Sequence, residues 1–129
     1  MNLNALQFEF SRNVPALVLH IYEQDYTCSY GDTWAFNLWP VINLLERIGT
    51  NEKLVKFLRS KTHKINSLHY KRLAIDINLF HNGTYLTKTS DHKFAGDFWE
   101  SLHIQNRWGG RYRDGNHYEL VPYEWRPNR

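Results

Sequence analysis

The beginning of the chain has apolar residues at helical spacing. They recur every three or four positions between about Asn4 and Gln24. The positions are Leu6, Phe10, Val14, Leu17 and Ile21. This periodicity predicts an amphipathic helix with one buried face. Pro15 lies inside the pattern and removes one backbone donor, so we expect it to bend or split the helix.

A second helical pattern follows in the middle of the chain, from Leu38 to Arg59. Its apolar positions are Val41, Leu44, Leu45, Ile48, Leu54, Phe57 and Leu58. Gly49-Thr50-Asn51 followed by Glu52 predicts a break and the start of a new helix. Between the two helical patterns, the aromatic and polar stretch Asp25 to Asp32 predicts a short strand that leads into a turn at Gly31.

The period changes to two in the next segment. Leu73, Ile75, Ile77 and Leu79 alternate with Ala74, Asp76, Asn78 and Phe80. Such alternation predicts a strand with one aliphatic face. The following His81-Asn82-Gly83-Thr84 is typical of a hairpin turn.

The last third of the chain predicts one helix and one further strand. The spacing of Phe94, Phe98 and Leu102 indicates a helix from about His92 to His103. Trp108-Gly109-Gly110 then predicts a flexible bend, and Tyr112 to Val121 predicts the final strand region. Helices first and a small antiparallel sheet later are typical of the α+β class. Since no repeat or linker is visible, we expect one domain over residues 1–129.

Composition narrows the function only a little. The 129 residues are 42% hydrophobic and 22% charged, which is typical of a globular protein. The single cysteine, Cys28, excludes an intrachain disulfide and a four-cysteine zinc site. A net charge of +3 favours anionic partners but does not distinguish nucleic acid from cell wall or lipid.

Two features of the sequence bear on membranes and secretion. The longest mostly apolar run, Val14 to Tyr22, is too short to span a bilayer, so we expect no membrane anchor. The opening residues 1–4 carry no basic side chain, which does not favour a secretory signal. A monomer is the default expectation for so small a chain.

The candidate chemistry lies at His69, Asp76, Asp114 and His117. Two histidines and a carboxylate are the composition of an open catalytic zinc site, and a further carboxylate would be the general base. The turn Asp114-Gly115-Asn116 folds Asp114 back toward His117. His69 lies seven residues before Asp76, so the two side chains converge only if the chain bends after His69.

Spacing alone leaves other interpretations open. An isolated histidine or aspartate is more often a surface or capping residue, and we interpret the other histidines in that way. They are His20, His63, His81, His92 and His103. Glu119 shares a strand face with His117, so it either orients that ligand or is an exposed strand residue. We expect Cys28 to be a small, partly buried residue rather than a nucleophile.

Two motifs resemble one peptidase family in order and spacing. The segment Ser67 to Asp76 resembles the Ser-x-His-x-x-x-x-Ala-x-Asp motif of the zinc D-alanyl-D-alanine carboxypeptidase and L-alanyl-D-glutamate endopeptidase family. Trp108-Gly109-Gly110, followed by the segment Asp114 to Glu119, resembles that family's Trp-Gly-Gly…Asp-x-x-His-Phe/Tyr-Glu ending. The resemblance extends from Tyr26 to Leu120 and is strongest from Ser67 onward.

The resemblance implies a fold, a cofactor and a substrate. The fold would be a small α+β domain like that of hedgehog and D-Ala-D-Ala peptidases. His69, Asp76 and His117 match the family's Zn²⁺ ligands, and Asp114 matches its catalytic base. The substrate would be a peptidoglycan stem peptide, cut at the L-alanyl-D-glutamate bond. The phage branch of the family implies an endolysin that leaves the host cytoplasm through a holin-type pore to reach the periplasm and cell wall, or a virion-associated lysin.

Substrate contacts are less clearly indicated. Family members carry an arginine after the first strand, and the matching segment Gly31 to Phe36 has Ala35 at that position. We expect Arg72, inside the first motif, to substitute for it as a substrate-binding residue. Trp108 is the second substrate-binding candidate, because it lies between a helix and the Asp114 turn. The glycines after Trp108 would let the backbone approach the stem peptide.

Two rival functions remain. The first is a catalytically impaired, wall-binding or structural virion module, which Ala35 favours and the retained ligand residues oppose. The second is a metal-dependent nuclease, which the positive charge suggests. The basic run between Lys53 and Arg72 lies mainly upstream of the motifs, so we expect no nucleic-acid partner. The same run would either hold anionic wall polymers or form a solvated face.

Overall fold

The computed structural model describes residues 2–31 and 67–126. These residues form two α-helices and five strands: α1 (Leu3–Glu23), β1 (Thr27–Tyr30), β2 (Ala74–His81), β3 (Thr84–Leu86), α2 (Lys93–Leu102), β4 (Asn106–Trp108) and β5 (His117–Leu120). Short 3-10 helices lie at Leu68–Lys71, Thr89–His92 and Gly109–Tyr112. The strands form one antiparallel sheet, so the predicted α+β class is confirmed.

Several predictions fall on other parts of the chain. The helical pattern of residues 38–59, with its break at residues 49–51, lies outside the described residues. The same is true of Ala35, of His63 and of most of the basic run. These interpretations therefore stay predictions.

The first helix matches its predicted bounds within a residue. Asn2 caps it, since its side-chain oxygen accepts a hydrogen bond from the Ala5 nitrogen at 2.9 Å. All five apolar positions predicted to form one face are buried. The helix continues through Pro15 without a split, because the proline and Ser11, whose carbonyl loses its partner, both face solvent. No helix among the described residues is long and apolar enough to cross a membrane.

Strand β2 is the centre of the sheet. Its beginning pairs with β5, and its end pairs with β1 and β3, while β4 extends the sheet beyond β5. The predicted alternation is confirmed, because Ile75, Ile77 and Leu79 are buried and the residues between them are half-buried. The predicted hairpin turn is confirmed as well: Asn82 and Gly83 both have positive φ, at 51° and 78°.

The hydrophobic core lies between the sheet and the two helices. Trp99 of α2 is fully buried in this core. Its ring forms T-shaped contacts with Phe10 and Tyr118, with ring centres 5.6 Å and 6.1 Å apart. Its indole nitrogen also donates to the backbone oxygen of Glu119 at 2.8 Å. This bond ties α2 to β5, which carries part of the candidate site.

The end of the chain differs from the prediction. The final strand is confined to His117–Leu120 and does not begin at Tyr112, because Tyr112 belongs to a 3-10 helix that Arg113 ends with a φ of 66°. The expected bend at Trp108 contains the end of β4 and the start of this 3-10 helix. Strand β4 was not predicted, since three residues show no period.

We predict that Gly96→Ala destabilises the fold. A Cβ at this position of α2 would lie 2.1 Å from the Trp108 ring. We expect this overpacking to outweigh the gain in helix propensity and to lower the free energy of unfolding by about 1–2 kcal/mol. Urea unfolding measures the change.

Gly31→Ala is the matched control for this prediction. The nearest atom to a Cβ at Gly31 is the side-chain nitrogen of Asn78, 3.3 Å away, which can move. We expect a change within about 0.5 kcal/mol for the control. A Gly96→Ala variant as stable as the unmodified protein would contradict the packing described for Trp108.

Candidate metal centre

The strand register collects polar side chains on the face of the sheet opposite the helices. Asp76 of β2 lies directly across from His117 of β5, and Glu119 lies across from Arg107 of β4. Residues two apart on a strand point to the same face, so His117 and Glu119 lie side by side. We call these four residues the polar face.

His69 joins this group from outside the sheet. It lies in the 3-10 helix Leu68–Lys71, whose first turn is capped by Ser67, since the Ser67 hydroxyl accepts from the His69 nitrogen at 3.2 Å. Arg72 ends the helix in the left-handed conformation, with a φ of 55°. The chain thus bends between His69 and β2, as their odd spacing predicted.

Three ligand atoms converge where His69 meets the polar face. His69 Nε2 lies 3.1 Å from His117 Nδ1 and 3.4 Å from an Asp76 carboxylate oxygen. His117 Nδ1 lies 3.4 Å from the same oxygen. In a tetrahedral zinc site with bonds of about 2.0–2.1 Å, ligand atoms are about 3.3–3.4 Å apart. The donor set and its spacing therefore fit a zinc ion with three protein ligands and one open position.

Without a metal, the cluster holds a proton on His117. Burial alone would lower the pKa of His117, but hydrogen bonds to Asp76 and Glu119 outweigh it and raise this pKa to about 9. Burial alone would raise the pKa of Asp76, but hydrogen bonds from both histidines hold it far below its usual range. Both shifts stabilise an imidazolium between two carboxylates, and a bound metal ion would replace that proton.

Glu119 fixes the orientation of His117. The carboxylate of Glu119 accepts a hydrogen bond from His117 Nε2 at 2.7 Å, which leaves Nδ1 to face His69 and Asp76. Arg107 pairs with the other oxygen of the same carboxylate. Since Glu119 is buried, with 6% of its side chain exposed, the interpretation of Glu119 as an exposed strand residue is wrong.

A cleft of about 590 Å³ opens over the cluster, and we call it the metal cleft. The described residues that line it are Ser67, Leu68, His69, Lys71, Asp76, Arg107, Asp114, His117, Glu119, Pro122 and Tyr123. Its lining is rich in charged side chains. Such a surface suits a polar substrate such as a peptide.

Asp114 is exposed at the rim of the metal cleft. Its backbone nitrogen donates to Gly109 at 2.9 Å, and its carbonyl accepts from the His117 nitrogen at 3.1 Å. A Cβ on Gly109 would lie 2.2 Å from that carbonyl oxygen, so only glycine permits the close approach. The turn therefore brings Asp114 to the cleft that contains His117, as the sequence predicted.

The structure does not bring Trp108 to the metal cleft. The register pairs it with Tyr118, on the helix side of the sheet. Its ring is packed so closely against Gly96 and Gly110 that a Cβ on either would overlap it, and its indole nitrogen donates to the Gly115 oxygen at 2.7 Å. Gly110 and Gly96 thus leave room for the Trp108 ring. Trp108 in turn holds the turn that carries Asp114, through its hydrogen bond to Gly115.

Arg72 also lies elsewhere. It is exposed and lines a different cavity, of about 560 Å³, beside Asn4 and Gln7 of α1. The cations among the described residues that line the metal cleft are Lys71 and Arg107. Arg107 was not among the predicted substrate-binding residues, although the alternation of a strand implies that Arg107 and Trp108 point to opposite faces.

The burial of two further residues tests the predictions made for them: the prediction for Cys28 is confirmed, and the one for His92 is wrong. Cys28 is half-buried, and burial raises the pKa of its thiol, which opposes a nucleophilic role. His92 is not a surface residue: it is buried, and its Nδ1 lies 2.8 Å from the Tyr118 hydroxyl. Burial lowers the pKa of His92 to about 4, so it is a neutral core residue.

Comparison with known families gives an independent indication. Residues 60–120 match a peptidase family model described as D-alanyl-D-alanine carboxypeptidase. This segment is just under half of the chain and contains the three candidate ligands, Asp114 and Glu119. Comparisons with curated proteins and with solved structures found no significant match. The family match supports a peptidase, in agreement with the resemblance of the two motifs.

We predict that the metal-free protein loses stability as the pH rises toward 9. The folded pKa of His117, about 9, is above the ordinary value of 6.5. The contribution of protonated His117 to the stability of the folded state is therefore complete below pH 6.5. It is lost as the pH rises through the folded pKa. We expect the free energy of unfolding to fall by up to about 3 kcal/mol across this interval, measured by urea unfolding with a chelator present.

Two variants separate His117 from other histidines. His117→Gln should have a much flatter pH dependence over the same interval. His81→Gln removes an exposed histidine at the far end of β2 and should keep the original slope. A slope that persists in His117→Gln would contradict the assignment.

Proposed function

We propose that this chain is a zinc-dependent peptidase that hydrolyses a peptidoglycan stem peptide, at the L-alanyl-D-glutamate bond. The observation that carries the proposal is the convergence of His69, Asp76 and His117 at the spacing of a tetrahedral zinc site. The match of residues 60–120 to a peptidase family supports the reaction class. The resemblance of the two motifs supports the dependence on zinc and the choice of the L-alanyl-D-glutamate bond.

Three side chains would hold the zinc ion. His69 would bind it through Nε2, His117 through Nδ1 and Asp76 through a carboxylate oxygen, because these are the atoms that converge. When bound, zinc supplies Lewis-acid activation of the attacking water and of the scissile carbonyl. Both histidines are buried, which limits the contact of bulk water with their ligand nitrogens.

Asp114 would act as the general base. Its position at the rim of the metal cleft leaves its carboxylate free to meet a bound peptide. It would take a proton from the attacking water and later deliver it to the leaving amine. The backbone bonds to Gly109 and His117 keep the turn of Asp114 in place beside the metal ligands.

The biological setting is part of the same proposal. The resemblance to phage members suggests an endolysin that passes from the host cytoplasm through a holin-type pore, or a lysin carried by the virion. We propose that the protein acts as a monomer on stem peptides, without nucleic acid. The net charge of +3 would favour its approach to anionic wall polymers.

The proposal predicts chelator-sensitive cleavage of Gram-negative peptidoglycan sacculi. Mass spectrometry of the released fragments should show new glutamate amino termini. Asp114→Asn should reduce the rate by at least about 100-fold while zinc remains bound, because only proton transfer is lost. His69→Ala should lose both the zinc and the activity.

Other outcomes would lead to different conclusions. Release of terminal D-alanine would identify a carboxypeptidase. Zinc-loaded protein that releases nothing from two wall chemotypes would contradict the enzymatic proposal and favour the impaired wall-binding module. Asp97→Asn is a matched control on an exposed part of α2 and should retain full activity.

A separate prediction concerns Glu119. Glu119→Gln weakens the hold on His117 Nε2 and should lower zinc affinity by about 10- to 100-fold. Competition with a coloured chelator measures this affinity without any turnover. Glu9→Gln, on α1, is the matched control and should bind zinc normally. An unchanged affinity in Glu119→Gln would contradict an orienting role.

A further inference from the structure

Arg107 presents a fixed guanidinium to the metal cleft. Its Nε donates to the Glu119 carboxylate of β5. Its guanidinium carbon lies 5.5 Å from the ring centre of Tyr112 and 5.9 Å from that of Trp125. An ion pair and two aromatic rings therefore hold the group in place before any ligand arrives.

The outer edge of this guanidinium has no protein partner in the part of the chain that the structure describes. The hydrogen bond to Glu119 uses Nε, and no described residue bonds to Nη1 or Nη2. The side chain is 25% exposed and lines the metal cleft. The two terminal nitrogens can donate in parallel to a planar anion such as a carboxylate.

The charges around Arg107 make such a contact useful. The metal cleft is lined by three carboxylates in the described residues, those of Asp76, Asp114 and Glu119. Asp76 and Glu119 are paired with His117 and Arg107, whereas the carboxylate of Asp114 is exposed at the rim and would repel the negative group of an acidic peptide. A cation in the same lining would offset that repulsion by receiving the group. Lys71 is the other described cation of the lining, but it is exposed on a short 3-10 helix, and among residues 2–31 and 67–126 no ring or carboxylate holds it.

We infer that Arg107 is a specificity-determining residue that binds a free carboxylate of an acidic peptide in the metal cleft, by donating from Nη1 and Nη2. The inference rests on the proposed function, in which glutamate follows the scissile bond. Glutamate has two carboxyl groups, and one remains free when the other joins the next residue. That free carboxylate is the ligand that Arg107 would recognise.

The experiment compares two peptides that differ in one group. The first is L-alanyl-γ-D-glutamyl-L-lysine, and the second has the free α-carboxylate of its glutamate converted to the amide. Dissociation constants are measured by calorimetry on zinc-loaded protein in the Asp114→Asn background, where mass spectrometry verifies that the peptides stay intact. Arg107 should favour the carboxylate peptide by about 10- to 100-fold.

Substitutions then assign this preference to Arg107. Arg107→Gln should bind the two peptides with nearly equal affinity. Arg107→Lys should recover little of the preference, because a single ammonium cannot donate in parallel to both oxygens. Lys71→Gln removes the same charge from the same cleft and should keep the preference within about threefold.

Zinc affinity distinguishes a substrate contact from an effect through Glu119. If Arg107 binds the carboxylate, Arg107→Gln retains zinc affinity within about threefold of its parent. A loss of zinc affinity of 10-fold or more, with both peptides weakened equally, would overturn the inference. The inference would also be overturned if the zinc-loaded Asp114→Asn protein, with Arg107 intact, bound the two peptides equally or bound neither.

The inference and the proposed function fail in different ways. If the wild-type chain cleaves sacculi but the carboxylate and amide peptides bind with equal affinity, only the role inferred for Arg107 is contradicted. The Asp114→Asn protein could show a carboxylate preference that depends on Arg107 while the wild-type chain cleaves neither sacculi nor peptide. That result would contradict only the peptidase proposal.

Discussion

The antiparallel pairing of β2 with β5 is the interaction on which the candidate site depends. It sets Asp76 opposite His117, and β4 then adds Arg107 opposite Glu119. The register is fixed from the other face of the sheet, where Ile75 and the residues beside it are buried against the helices. A slip by one residue would send the aliphatic side chains into the cleft and the candidate ligands into the core, so packing energy maintains the geometry of the candidate site.

The same pairing makes buried charge tolerable. Positive and negative groups alternate along the polar face, from Asp76 to protonated His117, Glu119 and Arg107. Each charge has an opposite neighbour, which offsets the cost of removing it from water. A metal ion would replace the His117 proton without disturbing Glu119 or Arg107. The candidate site would thus be organised before a metal ion bound, and the candidate ligands would need little rearrangement.

The secondary-structure elements that could be predicted are those in which one spacing of apolar residues repeats over a long stretch of chain. Helix α1 and strand β2 each repeat one spacing over many residues, and the motifs predicted a site at His69, Asp76, Asp114 and His117, which line one cleft in the structure. Strand β4 is too short for a pattern, so the sequence could not show that Arg107 and Trp108 face opposite sides. Arg72 itself adopts the left-handed conformation that ends the 3-10 helix. An arginine side chain does not indicate that conformation, so the sequence could not predict where Arg72 lies.

The packing of Trp108 has an evolutionary consequence. Its indole fills the space left by two glycines, one in α2 and one after β4, and it also bonds to the turn that bears Asp114. A larger residue at either glycine requires a smaller ring at position 108, and a smaller ring leaves the turn without its donor. These positions are therefore epistatic: homologues should change them together or retain all three, even where the metal ligands are unaffected.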